Sequence, residues 1–202
     1  MSIIDFLQEL KGWQPLIGTV LGFGALTWGA LYNYRLGRKR DDAIREKETL
    51  AVALALYSEI GLISKELASL ANAVGGWYLR YAPSGENVPA HFSDSFVLPE
   101  PTLFKALASK IGMLSPSVLL PIIRFYGHYG ETVNHFPLVL EDKERTISYG
   151  VEWVLGPAIS AIEGVQPAMR EIERVACLAR ETEPDLTKAR KAKMLEEDMR
   201  PD

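Results

Sequence analysis

The sequence predicts an all-α protein: one N-terminal transmembrane helix followed by a cytoplasmic antiparallel bundle of three to four helices. Three observations predict it. The run from Gly12 to Tyr34 contains no charged residue, apolar residues recur at steps of three and four over most of the remaining chain, and no stretch alternates as a strand would.

The uncharged run decides the first element. A helix rises about 1.5 Å per residue and the hydrocarbon core is about 30 Å thick, so roughly 20 uncharged residues span it. Residues 1–11 form a short leader with Ile3, Phe6, Leu7 and Leu10 on one helical face, suited to lie in the membrane interface. The transmembrane helix is expected over residues 12–34. Trp13 at one end, and Trp28, Tyr32 and Tyr34 at the other, fall where amphipathic rings prefer the headgroup region. Arg35, Arg38, Lys39 and Arg40 follow immediately, whereas Asp5, Glu9 and Lys11 precede the span, so the positive-inside bias places the N-terminus outside and the rest in the cytoplasm. A cleavable signal peptide requires a positive leader and a small-residue cleavage site; this leader is acidic and the span closes on Leu31-Tyr32-Asn33-Tyr34. A buried core helix accounts for the glycines, Thr19, Thr27 and Asn33, but not for the aromatic belt and the basic stop.

Within the span, Gly18, Gly22, Ala25 and Gly29 follow one another at four, three and four residues and form a single stripe of small side chains. In lipid, close backbone approach at such positions is a main source of helix association, which predicts a homo-oligomer or a partner membrane helix.

Residues 35–182 are expected to build the cytoplasmic bundle. Ala53, Leu56, Ile60, Ile63, Leu67, Leu70, Val74 and Trp77 keep the spacing of a packed, coiled-coil-like seam, on a helix from near Asp41 to near Tyr81 that Pro83-Ser84-Gly85 stops. Gly75-Gly76 predicts fraying or a bend. Residues 83–101 read as a long loop packed by Phe92, Phe96 and Leu98, and a short helix then carries Leu103, Phe104, Leu107 and Ile111 on one face. Ser115-Pro116 starts a third helix, with Leu119, Ile122, Tyr126, Tyr129, Val133 and Phe136 as its buried stripe and Pro137 as its end. Val151, Leu155, Ala158, Ile162, Val165, Met169, Ile172, Ala176 and Ala179 stay in phase across Pro157 and Pro167, predicting one long kinked helix to near Thr182. Residues 183–202 are mostly charged and are expected to form a solvated, flexible or loosely helical tail.

The composition narrows the chemistry. A net charge of -4 argues against a nucleic-acid-binding surface, so the basic cluster is assigned to topology and anionic lipid. The one cysteine, Cys177, excludes an intramolecular disulfide and, flanked by Ala176 and Leu178, reads as a structural thiol. Glycine-rich phosphate loops, CxxC, HExxH and GxSxG are missing, and no cofactor is expected. Arg124, His128, Glu131 and His135 share one face of the third helix. His128, Glu131 and His135 are ligand types, yet His128 and His135 lie about 10 Å apart along the axis, so a solvated polar face explains the stripe better than a metal site. Trp77, Tyr78 and Tyr81, together with Tyr149 and Trp153, are candidates to line a ligand pocket or to fill the core.

Trp13-Gln14-Pro15-Leu16-Ile17-Gly18, leading into a glycine- and alanine-rich span and then Tyr34-Arg35, resembles the N-terminal anchor of small, uncharacterised alphaproteobacterial inner-membrane proteins. The resemblance implies a bacterial inner-membrane location and carries no catalytic residue onto this chain. The sequence thus predicts a non-enzymatic, single-pass membrane protein that self-associates and scaffolds or regulates a partner through its bundle. The alternatives are a membrane-tethered sensor that binds a ligand between helices and a metal-dependent enzyme.

Overall fold

The structure, a computed structural model, describes residues 3–81, 96–141 and 151–199, with side chains described at residue 16, from residue 18 to 138 within those ranges, and from 151 onward. It is all-helical, with no strand among the described residues. The chain divides into two compact units, Met1–Glu48 and Thr49–Asp202. Helix α1 (Ile3–Tyr81) supplies all the described backbone of the first and the opening helix of the second.

In the first unit Leu16, Val20, Leu21, Phe23, Leu26, Trp28, Leu31, Tyr32, Tyr34 and Leu36 are all exposed. Their positions follow no three-four spacing, so apolar surface faces every side of the helix. Among the described residues, however, no helix is long and apolar enough to cross a membrane. Gly18, Gly22, Gly24, Gly29, Thr19 and Thr27 dilute the apolar side chains, and charges begin at Arg35. The leader residues and Trp13 lie outside the residues with described side chains.

In the second unit α1 lays its seam into the core: Ala53, Leu56, Ile60, Ile63, Leu67, Leu70, Val74 and Trp77 are all buried. The other elements are α2 (Thr102–Ala106), a 3-10 turn (Ile111–Met113), α3 (Pro116–Glu141), a π-helical turn (Val151–Leu155), α4 (Gly156–Ala176) and α5 (Thr187–Met199). α3 packs on α4.

Several expectations are corrected here. The helix at Leu103 is a single turn; Phe104, Leu107 and Ile111 pack on the core, but Leu103 is exposed. The loop residues 82–95, including Phe92, lie outside the described residues, while Phe96 meets Phe136 edge-on at 6.4 Å. α3 passes through Pro137 to Glu141. Its buried line is Val118, Ile122, Phe125, Tyr129, Thr132 and Phe136 with Tyr126 beside it, so Leu119 is only half-buried and Val133 is exposed. The line escapes a count of apolar residues because Thr132 occupies one of its positions, its hydroxyl donating to the His128 carbonyl at 3.0 Å.

The helix predicted from 151 to 182 starts with the π-helical turn, holds through Pro157 and Pro167, and stops at Ala176. Cys177 takes a left-handed conformation, φ 53°, and the Leu178 N–H returns to the Glu173 carbonyl at 2.9 Å. Cys177 is therefore an exposed helix-ending residue, not a thiol in an apolar run. The tail is corrected most. Residues 187–199 form α5, with Leu186, Ala189, Ala192 and Glu196 buried. A charged helix docks here because its buried side chains are small, and α1 meets it with a glycine.

That meeting also corrects the expectation for Gly75-Gly76. α1 stays helical there, and a Cβ on Gly75 would lie 2.8 Å from both the Ala189 Cα and the Lys188 carbonyl oxygen. Contacts then advance in the same sense along both helices, from Asn72 with Lys188 to Tyr78 with Glu196. α5 consequently runs in the sense of α1, unlike an antiparallel neighbour.

Candidate functional site

Three buried glutamates hold the bundle together, and each accepts a hydrogen bond from a tyrosine. Glu59, on α1, accepts the backbone N–H groups of Leu103 at 2.6 Å and Phe104 at 2.9 Å and the Tyr126 hydroxyl at 2.6 Å. The carboxylate thereby caps the first turn of α2, where helix N–H groups lack intrahelical acceptors. The Phe104 ring stacks on Tyr126 with centroids 3.9 Å apart. Burial, then the Glu59 carboxylate, raises the Tyr126 hydroxyl pKa well above the tyrosine range, and the same causes push Tyr129 up to about 12.

At the end of α4, Glu173 accepts from Tyr57 at 3.0 Å, from Arg170 at 2.9 Å and from the Glu181 N–H at 3.0 Å. Burial opposes its ionisation, but the Glu181 N–H, Arg170 and Tyr57 together hold its carboxyl below the usual carboxylate range. Arg170 also reaches Glu183 at 2.7 Å, so the chain after Cys177 folds back onto α4. Tyr57 is pushed up to about 12, first by burial and then by its bond to Glu173.

The third glutamate, Glu196, accepts the Tyr78 hydroxyl and docks α5 on α1. Burial first, then Glu196, raises the Tyr78 pKa far above the ordinary value. Asn72 completes this dock: its Oδ1 accepts the N–H groups of Lys188 at 3.1 Å and Ala189 at 3.2 Å, and its Nδ2 donates to the Asp185 carbonyl at 2.7 Å. An asparagine of α1 thus caps the first turn of α5, as a local N-cap would.

Apolar spacing in the sequence does not mark these polar anchors. Glu59 gave one usable signal, lying three residues after Leu56 and four before Ile63 and so beside the seam. Glu196 and Asn72 gave none, since their partners are more than a hundred residues away.

The predicted site residues are distributed as follows. Gly18, Gly22 and Gly29 have nothing outside their own helix within 4 Å of a Cβ position, and Ala25 is exposed. Trp28, Tyr32, Tyr34, Arg35, Arg38, Lys39 and Arg40 are exposed too, and the Arg38 guanidinium lies 5.7 Å from the centre of the Tyr34 ring. On α3, the His128 Nδ1 is 3.1 Å from Glu131, whereas the His135 ring lies tilted beside Trp153, with centroids 5.1 Å apart. No group of three or more His, Cys, Asp or Glu side chains able to hold a metal occurs among the described residues. Tyr149 lies outside the described residues; Trp77 and Tyr78 are buried and Tyr81 is half-buried.

No protein-family model, curated protein or solved structure matches the chain.

Proposed function

We propose that the protein is a single-pass inner-membrane protein, N-terminus outside, whose cytoplasmic helical bundle scaffolds or regulates a partner and which self-associates through its membrane helix. The observation that carries this reading is the all-round apolar surface from Leu16 to Leu36, free of charge until Arg35. A helix apolar on every side is normally buried, in a large core or in lipid. The basic cluster at Arg35, Arg38, Lys39 and Arg40 supports the orientation, and anionic lipid headgroups are its natural partners. Thr27 donates to the Phe23 carbonyl at 2.6 Å, which satisfies its hydroxyl without water.

The weak apolarity of the segment favours pairing. Small residues at Gly18, Gly22, Ala25 and Gly29 let a second helix approach closely, so that the glycine-rich face meets protein instead of lipid. The resemblance to alphaproteobacterial anchors agrees with this location. The reading is tested with reporters fused to either end of the full chain in bacteria. A reporter active only outside the cytoplasm should work at the N-terminus and fail at the C-terminus. Gly22→Leu with Gly29→Leu should weaken association in a membrane assay, and unchanged association removes the stripe from the account.

A further inference from the structure

Where α1 ends and α5 begins, an open cleft of about 450 Å³ is lined by Asn72, Gly76, Trp77, Arg80, Tyr81 and Lys188 among others. Its composition is unusual for this chain. The protein carries a net charge of -4, yet among the described residues the charged ones that line the cleft, Arg80 and Lys188, are both cations. Neither Arg80 nor Lys188 has a carboxylate within salt-bridge distance among the described residues; Arg80 lies 6.0 Å from the centre of the Tyr81 ring. The Lys188 stem crosses Gly76, its Cδ 3.4 Å from where a Cβ would stand, so the absence of a side chain at 76 keeps the cleft open.

The second observation concerns Trp77. It lines the cleft although it is more than nine-tenths buried, and its indole N–H, closed to solvent and without a hydrogen-bond partner among the described residues, is held inside the bundle and not offered to the cleft. The α5 backbone N–H groups of Lys188 and Ala189 are not offered to it either, because Asn72 already satisfies them, so an anion in the cleft is met by the Arg80 and Lys188 side chains.

We infer that this cleft binds a small amphiphile, an apolar or aromatic body bearing one carboxylate or phosphate. The body lies against Trp77 and Gly76, and the anionic group meets Arg80 and Lys188. Ligand sites of this kind combine apolar lining with a few placed polar groups, and arginine beside an aromatic ring suits a planar anion. The inference goes beyond membrane anchoring and does not depend on it, since every lining residue belongs to the unit Thr49–Asp202.

The test titrates the full chain, held in neutral-lipid nanodiscs, with 1-naphthoate and with its neutral counterpart 1-naphthalenemethanol, by calorimetry. Naphthoate should bind saturably and roughly tenfold tighter than the alcohol. Arg80→Gln with Lys188→Gln, two surface changes that leave the core intact, should remove that advantage, and Gly76→Leu should block both probes. Phenyl phosphate should compete with naphthoate. If anionic lipid added to the nanodisc also competes, the anion is a lipid headgroup; if it does not, the anion is a soluble molecule. Equal binding of acid and alcohol, or undiminished naphthoate binding in the Arg80/Lys188 double variant, overturns the inference.

Discussion

Gly18, Gly22 and Gly29 stand in the open, with nothing outside their own helix within 4 Å of a Cβ position, whereas a Cβ on Gly75 would come to 2.8 Å from the Ala189 backbone. All four lie on α1. The apolar residues around them differ in the same way: Leu21, Phe23 and Leu26 are 67%, 72% and 76% exposed, while Leu56, Leu67 and Leu70 are at 0%. Charge separates the two stretches in part, since Glu59, Lys65 and Glu66 fall in the second and none falls between Leu16 and Tyr34; arrangement separates them further. From Ala53 to Trp77 the apolar residues keep to one face and a bundle covers them. From Leu16 to Leu36 they face every way and stand exposed.

The comparison breaks most visibly at leucine. Leu67→Ala should destabilise the bundle by about 3 kcal/mol, since a fully buried leucine leaves a cavity. Leu21→Ala should leave bundle stability unchanged within about 0.5 kcal/mol. Denaturant melts of the full chain in detergent measure both. A large effect of Leu21→Ala on the bundle would join the two stretches into one core.

Glycine gives the next effect. In a helix interior Gly→Ala ordinarily stabilises by up to about 1 kcal/mol. At Gly75 the added Cβ would meet the backbone of Lys188 and Ala189, which cannot swing aside as a side chain would, so Gly75→Ala should instead destabilise by about 1–2 kcal/mol and loosen α5. Hydrogen exchange at Ala189 and Ala192 would report the loosening. Gly24→Ala, in open space and off the small-residue stripe, should not destabilise the helix in the same detergent.

Tyrosines sharpen the contrast through pH. Tyr57 and Tyr129 are pushed up to about 12, and Tyr78 and Tyr126 further, from an ordinary 10.0. Raised folded-state values mean that the neutral hydroxyls stabilise the fold fully below pH 10, and that this contribution is lost as pH rises through the folded values. The melting temperature of the bundle should therefore decline from about pH 10 upward, and Tyr78→Phe with Tyr126→Phe should flatten the decline. The smallest effect is expected at Cys177. Its φ of 53° is a conformation glycine adopts without strain, so Cys177→Gly should raise stability by up to about 1 kcal/mol in the same melts.

How much of this was legible depended on where the information lay. The α1 seam could be read because each buried position recurs within four residues of the last, and bulky apolar side chains mark it. α5 could not. Its buried face is Ala189, Ala192 and Glu196, which in sequence looks like any charged helix, and its dock is specified by Asn72, Gly75 and Tyr78 on the far side of the chain. Apolar spacing puts the end of the α3 face at Val133, one position off, because Thr132 is buried through a local bond to its own helix. Glu59 and Glu173 escape a reading of apolar spacing for the reason that makes them effective. A lone acid near a seam reads as surface until its N–H and hydroxyl donors are brought to it by the fold.

The central claim is that the exposed apolar stretch of α1 is covered by lipid. Alkaline carbonate extraction of membranes from bacteria expressing the full chain tests it most directly. The account predicts that the protein stays in the membrane pellet, that detergent releases it, and that Leu21→Arg with Leu26→Arg shifts it to the supernatant. Recovery of the unaltered chain in the carbonate supernatant would contradict the account.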